Sequence, residues 1–273
     1  MPATQALIRP AFAFLLAAFS AAALAQAQKA PSAYEPSIGQ EGKDVVWVPT
    51  PDVLVVRMLD MAKVTAKDHV IDLGSGDGRT VIAAAKRGAR ALGIEYNPEM
   101  VELSKRNAAA ERVGARATFA KADLFESDFS KATVITMFLL PSINVQLRPK
   151  ILDLNPGTRV VSNTFDMEDW EADETHTNED CERWCTALLW IVPAKVEGTW
   201  RTPQGNLTLA QKFQMVSGSL GQQPIADGRL GGEEIRFNAG GVQYRGRVNG
   251  DRIQGTVTAQ GRTSDWVATR VGR

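Results

Sequence analysis

The chain has 273 residues and equal numbers of basic and acidic side chains, 31 of each, so its formal net charge is zero. That balance argues against a general nucleic-acid binder, which presents a basic face. The length predicts one large domain or two modest ones, and the composition is that of a globular protein.

Residues 1–25 carry one charge, Arg9, then an apolar run that ends in Ala23, Leu24 and Ala25 before Gln26. A short apolar stretch closed by an A-x-A site reads as a secretory signal peptide. It is short for a membrane span, so the expectation is an exported, periplasmic protein with no stable span once the signal is removed. Residues 26–43 have the composition of a flexible linker.

Thr50, Pro51 and Asp52 read as the N-cap, first position and first acidic residue of a helix reaching about residue 63. Its apolar side is expected to hold Val53, Val56, Leu59 and Met61. A short buried strand follows at 70–73, then Asp72-Leu73-Gly74-Ser75-Gly76-Asp77-Gly78-Arg79 turns the chain into a helix. Glycine is needed in such a turn because it alone tolerates positive φ and lets backbone N–H groups approach a ligand closely. A dinucleotide fingerprint would place a third glycine at position 79, and Arg79 breaks that pattern. A plain glycine-rich turn between strand and helix would read the same over this stretch alone.

Strands are predicted at 89–94, 117–122, 133–139 and 158–165. The helix after the second strand is capped by Asn97, opened by Pro98 and runs to about Val113. Another covers 143–154, with Pro149 setting or perturbing its start. Alternation of strand and helix means a doubly wound, mostly parallel α/β sheet, and ligands of such sheets sit beyond the carboxyl ends of the strands. Asp72, Glu95 and Asp123 all fall at or just after strand ends. Glu95 lies 23 residues after Asp72, a separation suited to an acid that accepts hydrogen bonds from both ribose hydroxyls. Asp123 could accept from an adenine amino group. Taken singly, each is as readily a solvated carboxylate.

The chain is acidic from Asp166 to Glu182, read as a loop between late strands, and residues 186–192 form an apolar strand antiparallel to its predecessor. The acidic loop would draw a basic acceptor, or would simply face water. Cys181 and Cys185 lie in C-E-R-W-C; without a nearby histidine pair they make a poor zinc site, no metal is expected, and a local disulfide is favoured over free thiols. From residue 196 the pattern changes to short alternating segments, at 198–200, 207–216, 234–237, 242–248, 253–258 and 265–269, separated by glycine turns, with Asn249-Gly250 a hairpin signal. Residues 44–195 thus read as one domain, and 196–273 as a small antiparallel β-meander, a sandwich or half-barrel.

The Asp-x-Gly-x-Gly-x-Gly loop resembles motif I of the class I S-adenosylmethionine (SAM) methyltransferases. D-V-V-W-V-P-T-P, M-L-D-M-A, V-I-D-L-G-S-G-D-G-R-T-V-I-A-A-A and G-I-E-Y-N-P-E-M-V together resemble the small protein-lysine methyltransferases, over residues 44 to about 192. The resemblance implies a Rossmann-like fold and SAM as cofactor. It places Asp72, Gly74, Ser75, Gly76, Asp77, Gly78, Glu95, Tyr96, Asp123 and Leu124 around SAM, and Trp47, Pro49, Phe138 and Pro141 at the acceptor side. The acceptor would be a protein lysine; a small-molecule acceptor, or an inactive envelope binding protein on this fold, are the alternatives. The Asn/Asp-Pro-Pro-Tyr motif of amino-group DNA and glutamine methyltransferases is missing after the fourth strand, and no nucleic-acid partner is expected.

Overall fold

The structure, a computed structural model, describes residues 34–179 and 181–272; the expected signal peptide lies outside the described residues. The first part of the chain runs α1 (Asp52–Met61), β1 (His69–Leu73), α2 (Arg79–Lys86), β2 (Arg90–Glu95), α3 (Pro98–Ala110) and β3 (Ala117–Lys121). It continues through β4 (Val134–Met137), α4 (Pro141–Leu152), β5 (Arg159–Asn163), β6 (Glu174–Thr177) and β7 (Thr186–Ile191). These strands make one sheet in the order β3-β2-β1-β4-β5-β7-β6, with β1 to β5 parallel and β7 antiparallel to both of its neighbours, β5 and β6. The order reverses direction beside β1, which puts the carboxyl ends of β1, β2 and β4 around a switch point, the usual ligand crevice of doubly wound sheets.

Burial explains the central strands. All four residues of β4 are buried, as are Val70, Ile71, Asp72 and Leu73 of β1, which is how strands covered by helices on both faces read. On one face Leu54, Val55, Met58 and Leu59 of α1 pack with Val81, Ile82, Ala84 and Ala85 of α2. On the other, Ile143, Leu147 and Ile151 of α4 pack with Trp170 and Trp190.

Several boundaries depart from the sequence reading. The N-cap of α1 is Pro51, without a side-chain cap bond, because the Thr50 hydroxyl accepts from Asn163 Nδ2 at 3.3 Å instead. The buried face of α1 is Leu54, Val55, Met58, Leu59 and Met61, while Val53 and Val56 are exposed. α3 ends at Ala110, three residues before the expected Val113, and Arg112 turns the chain left-handed at φ 57°. α4 starts on Pro141 as its first residue and carries Pro149 inside it, so the first proline sets the start. The acidic stretch is not all loop: Glu174–Thr177 pairs with β7 as an edge strand. Over its described part the expected linker is held down, with Gly39 N–H donating to Trp47 O at 2.8 Å and Gln40 O accepting from Trp47 N–H at 2.9 Å.

The chain then forms β8 (Gly198–Thr202), β9 (Gly205–Lys212), β10 (Met215–Leu220), β11 (Gln223–Gly231), β12 (Glu234–Ala239), β13 (Val242–Asn249), β14 (Arg252–Ala259) and β15 (Arg262–Arg270). Each pairs antiparallel with the next, and β15 returns to β8 through Thr269–Arg201 and Arg270–Trp200, so the barrel closes rather than stopping at a half-barrel or sandwich. An eight-stranded barrel has an interior just wide enough for side chains to fill. Here Trp200, Leu207, Leu230, Ile253 and Trp266 fill it, and Phe237 stacks on Tyr244 at 4.8 Å between centroids. Asn249-Gly250 does lie in a hairpin between β13 and β14.

The barrel is joined to the edge of the sheet by aromatic stacking and ion pairing. Phe213, in the β9–β10 turn, stacks on Trp170 at 5.7 Å, and Arg229 pairs with Asp173 at 2.6 Å. Gln214 Nε2 donates to Glu171 O at 2.7 Å.

Candidate active site

The loop from Gly74 to Gly78 is built on three left-handed glycines, with φ of 75°, 54° and 82° at Gly74, Gly76 and Gly78. It is tied to β2 because Gly74 N–H and Ser75 N–H both donate to Ile94 O, at 2.9 and 3.0 Å. Gly76 N–H donates to Glu95 Oε2 at 2.9 Å, and Asn97 N–H donates to Glu95 Oε1 at 2.9 Å. Glu95 thus clamps the glycine loop to the start of α3 while each oxygen keeps a further lone pair.

Asp72 is buried at the end of β1, and Thr136 Oγ1 donates to its Oδ1 at 2.6 Å. Burial pushes its carboxyl up to about 7; the threonine bond pulls it back, and the charges of Asp77 and Glu95 push it further up. Asp123, past the end of β3, is paired with Lys43 Nζ at 2.5 Å. The lysine bond holds Asp123 below the ordinary carboxylate range. Lys43 also lies over the rings of Tyr96 and Phe125, at 5.2 and 5.8 Å. Asp77 is engaged by Arg79, whose Nη2 lies 2.6 Å from Oδ2, and Arg79 Nη1 also donates to Thr50 O at 3.0 Å.

These groups surround a cavity of about 440 Å³, within the range of small-molecule sites. Nine of the ten residues expected around the cofactor line it: Asp72, Gly74, Ser75, Gly76, Asp77, Glu95, Tyr96, Asp123 and Leu124. Gly78 does not. Its place is the N-cap of α2, where a Cβ would press on Phe119 at 2.8 Å and Ser104 at 2.9 Å. Of the acceptor-side residues, Trp47, Pro49 and Phe138 line the cavity, and Pro141 does not because it turns away to open α4. Neither histidine lines it, and none of the described acids of the 166–182 stretch does. Two of those acids are spent on ion pairs, Asp169 with Arg148 and Asp173 with Arg229.

Sequence reasoning missed Lys43, Thr136, Phe165 and Trp184 among the residues at or against this cavity. Lys43 sat in what read as a linker, and Trp184 carries no local signal beyond its place between two cysteines. Gly93 was missed as well: its α-carbon lies under Ser75, whose Oγ is buried without a hydrogen-bond partner.

The residues present fit SAM. The glycine loop is a cradle that a Cβ would fill, since one at Gly76 would lie 2.6 Å from Trp47 Nε1. Six carboxylates (Glu41, Asp44, Asp72, Asp77, Glu95 and Asp123) face two cations, Lys43 and Arg79, along the lining, which suits a cationic ligand.

A protein-lysine N-methyltransferase of Saccharolobus islandicus is 44% identical over 151 residues, which span 54% of this chain and 94% of that protein. The chain belongs to the family of that archaeal enzyme. It is a SAM-dependent methyltransferase. Residues 72–174 of the methyltransferase also match the ANTKMT methyltransferase domain family. An adenine nucleotide translocase lysine N-methyltransferase of Mus musculus is 36% identical over 104 residues, covering 37% of this chain and 45% of that protein. Among solved structures, one described as an RNA methyltransferase of Salinibacter ruber, bound to S-adenosylhomocysteine, superposes with a TM-score of 0.52. It is 46% identical and covers 55% of this chain and 96% of that one. The β8–β15 barrel lies outside the ANTKMT match.

Proposed function

We propose that this methyltransferase transfers a methyl group from SAM to the side-chain amine of a protein lysine. The observation that carries the cofactor half of the reading is the convergence of Asp72, Glu95 and Asp123 with the glycine loop on one cavity. In this reading Glu95 accepts from the ribose hydroxyls and Asp123 from the adenine amino group once Lys43 gives it up. Asp72 and the glycine loop face the amino-acid end. SAM supplies an electrophilic methyl on a sulfonium.

The acceptor half rests on charge and on kinship. A lining with six carboxylates and two cations repels a phosphate backbone and attracts an ammonium. The 44% identical relative is named as a protein-lysine enzyme, whereas the Salinibacter ruber structure is described as an RNA methyltransferase. Lysine must be neutral to attack, and desolvation beside apolar residues such as Phe138 and Leu139 favours the neutral amine. Alignment in a water-excluding site then supplies most of the acceleration expected of such a displacement.

The test is incubation with methyl-labelled SAM and either poly-lysine or total RNA, followed by hydrolysis and chromatography. Label in methyl-lysine is expected; label confined to nucleosides would overturn the reading.

Export to the periplasm is proposed on the composition of residues 1–25, and the Cys181–Cys185 disulfide supports it, since such bonds persist in oxidising compartments. Fusing residues 1–40 to a reporter active only after export checks this. An inactive reporter would contradict it.

A further inference from the structure

Three aromatic rings meet at one end of the cavity, and each arrives from a different junction. Phe138 follows β4, Phe165 follows β5, and Trp184 sits in the loop between β6 and β7. Their centroids lie 5.8 Å apart for Phe138–Phe165, 5.7 Å for Phe138–Trp184 and 5.5 Å for Phe165–Trp184. All three line the cavity, yet Trp184 remains 38% exposed, so it stands where the cavity meets solvent.

The backbone is forced to place two of these rings. Thr164, just before Phe165, is left-handed at φ 60°, an outlier for a β-branched residue. Its N–H donates to Thr186 O at 2.6 Å and its hydroxyl to Asn163 Oδ1 at 2.9 Å, which hold the kink. Trp184 is itself left-handed at φ 58°, and it lies inside the five-residue loop that the Cys181–Cys185 disulfide closes. Strain of this kind persists only where surrounding bonds over-determine it, and it clusters at ligand clamps.

We propose that Phe138, Phe165 and Trp184 form the wall that takes the alkyl stem of the acceptor amine, and that the disulfide is there to hold Trp184 in that wall. This rests on the amine-acceptor reading above and adds to it the selecting residue and its dependence on oxidation. Aromatic faces accept both an unbranched alkyl chain and an ammonium, the first by apolar contact and the second through the ring quadrupole. Cys181 and Cys185 are positioning residues: opening the bond releases a loop whose tryptophan otherwise occupies a disfavoured conformation. Acceptor affinity then depends on the redox state of the pair, and cofactor affinity does not.

The experiment uses the full chain loaded with S-adenosylhomocysteine, titrated with n-butylamine and followed by ligand NMR. Oxidised wild-type protein is expected to bind. Trp184→Ala should weaken binding about tenfold, and Trp184→Phe should restore most of it. Reducing the wild type should weaken binding severalfold, whereas reducing Trp184→Ala should change nothing further, the signature of two groups acting through one contact. S-adenosylhomocysteine affinity should be the same in every case. The proposal is overturned if oxidised wild type does not bind the amine, if Trp184→Ala binds it equally well, or if reduction changes cofactor and amine affinity together. Failure of methyl transfer to poly-lysine would remove the lysine reading on its own, and the amine titration would still decide the wall.

Discussion

Asp72 on β1 and Thr136 on β4 are register partners, and the threonine hydroxyl donates a 2.6 Å hydrogen bond to the aspartate Oδ1. That bond is what the structure offers a carboxylate left in the interior beside two other acids.

Burial raises Asp72 from 3.8 to about 7, so the folded chain holds a proton that the unfolded chain releases. Its contribution to stability is full below the unfolded value, declines as pH rises, and is gone above about 7. Asp72→Asn is expected to flatten the loss of stability across that window, read by denaturant titration at several pH values. A cationic ligand favours the ionised carboxylate, so SAM binding should release a proton below pH 7. Affinity should then rise by up to about tenfold per pH unit there and level off above. Calorimetry in two buffers of different ionisation enthalpy measures the release, and equal apparent enthalpies at pH 6 would contradict it.

A second prediction concerns Gly93, whose φ is ordinary and whose need for glycine is purely steric. A Cβ there would overlap Ser75 Oγ and lie 2.7 Å from Phe119 Cδ1. Gly93→Ala should lose about 1–3 kcal/mol of stability and weaken SAM binding, because the glycine loop is the neighbour that must give way. Ser75→Gly in the same chain should recover part of both losses. A Gly93→Ala protein with unaltered melting and binding would show that the loop is not packed this way.

How much of this was legible without coordinates follows from the range of each interaction. The α/β alternation, the glycine loop and the acids at three strand ends are local patterns, and all three acids line one cavity. Helix ends were read less well. Thr50 looked like a cap until Asn163, distant in sequence, took its hydroxyl. Residues 207–216 read as one strand, yet they turn at Phe213 (φ 53°) into β9 and β10, with Phe213 engaged by Trp170. β11 was missed because Pro224, Asp227 and Gly228 break the alternation; Asp227 is left-handed at φ 53°, where the register with β12 shifts. Barrel closure was also invisible, since it rests on two residue pairs between the first and last strands. The aromatic trio needed three junctions to come together.

Trp170 gives the third prediction. It is fully buried, its carbonyl accepts from Trp190 Nε1 at 2.7 Å, and its ring stacks on Phe213 of the barrel. Trp170→Ala should cost about 3–5 kcal/mol and lower one shared unfolding transition of sheet and barrel. Two separated transitions in the wild-type protein, with only one moved by the substitution, would show that the barrel is energetically independent.

The cofactor site stands on Glu95, whose oxygens hold the glycine loop and the start of α3 while facing the cavity. Calorimetric titration of S-adenosylhomocysteine into wild-type protein and Glu95→Ala measures its role most directly. One ligand per chain is expected, with affinity at least about tenfold weaker in the variant, as the loss of a charged acceptor requires. Equal affinities in two well-folded proteins would place the cofactor elsewhere and contradict the site.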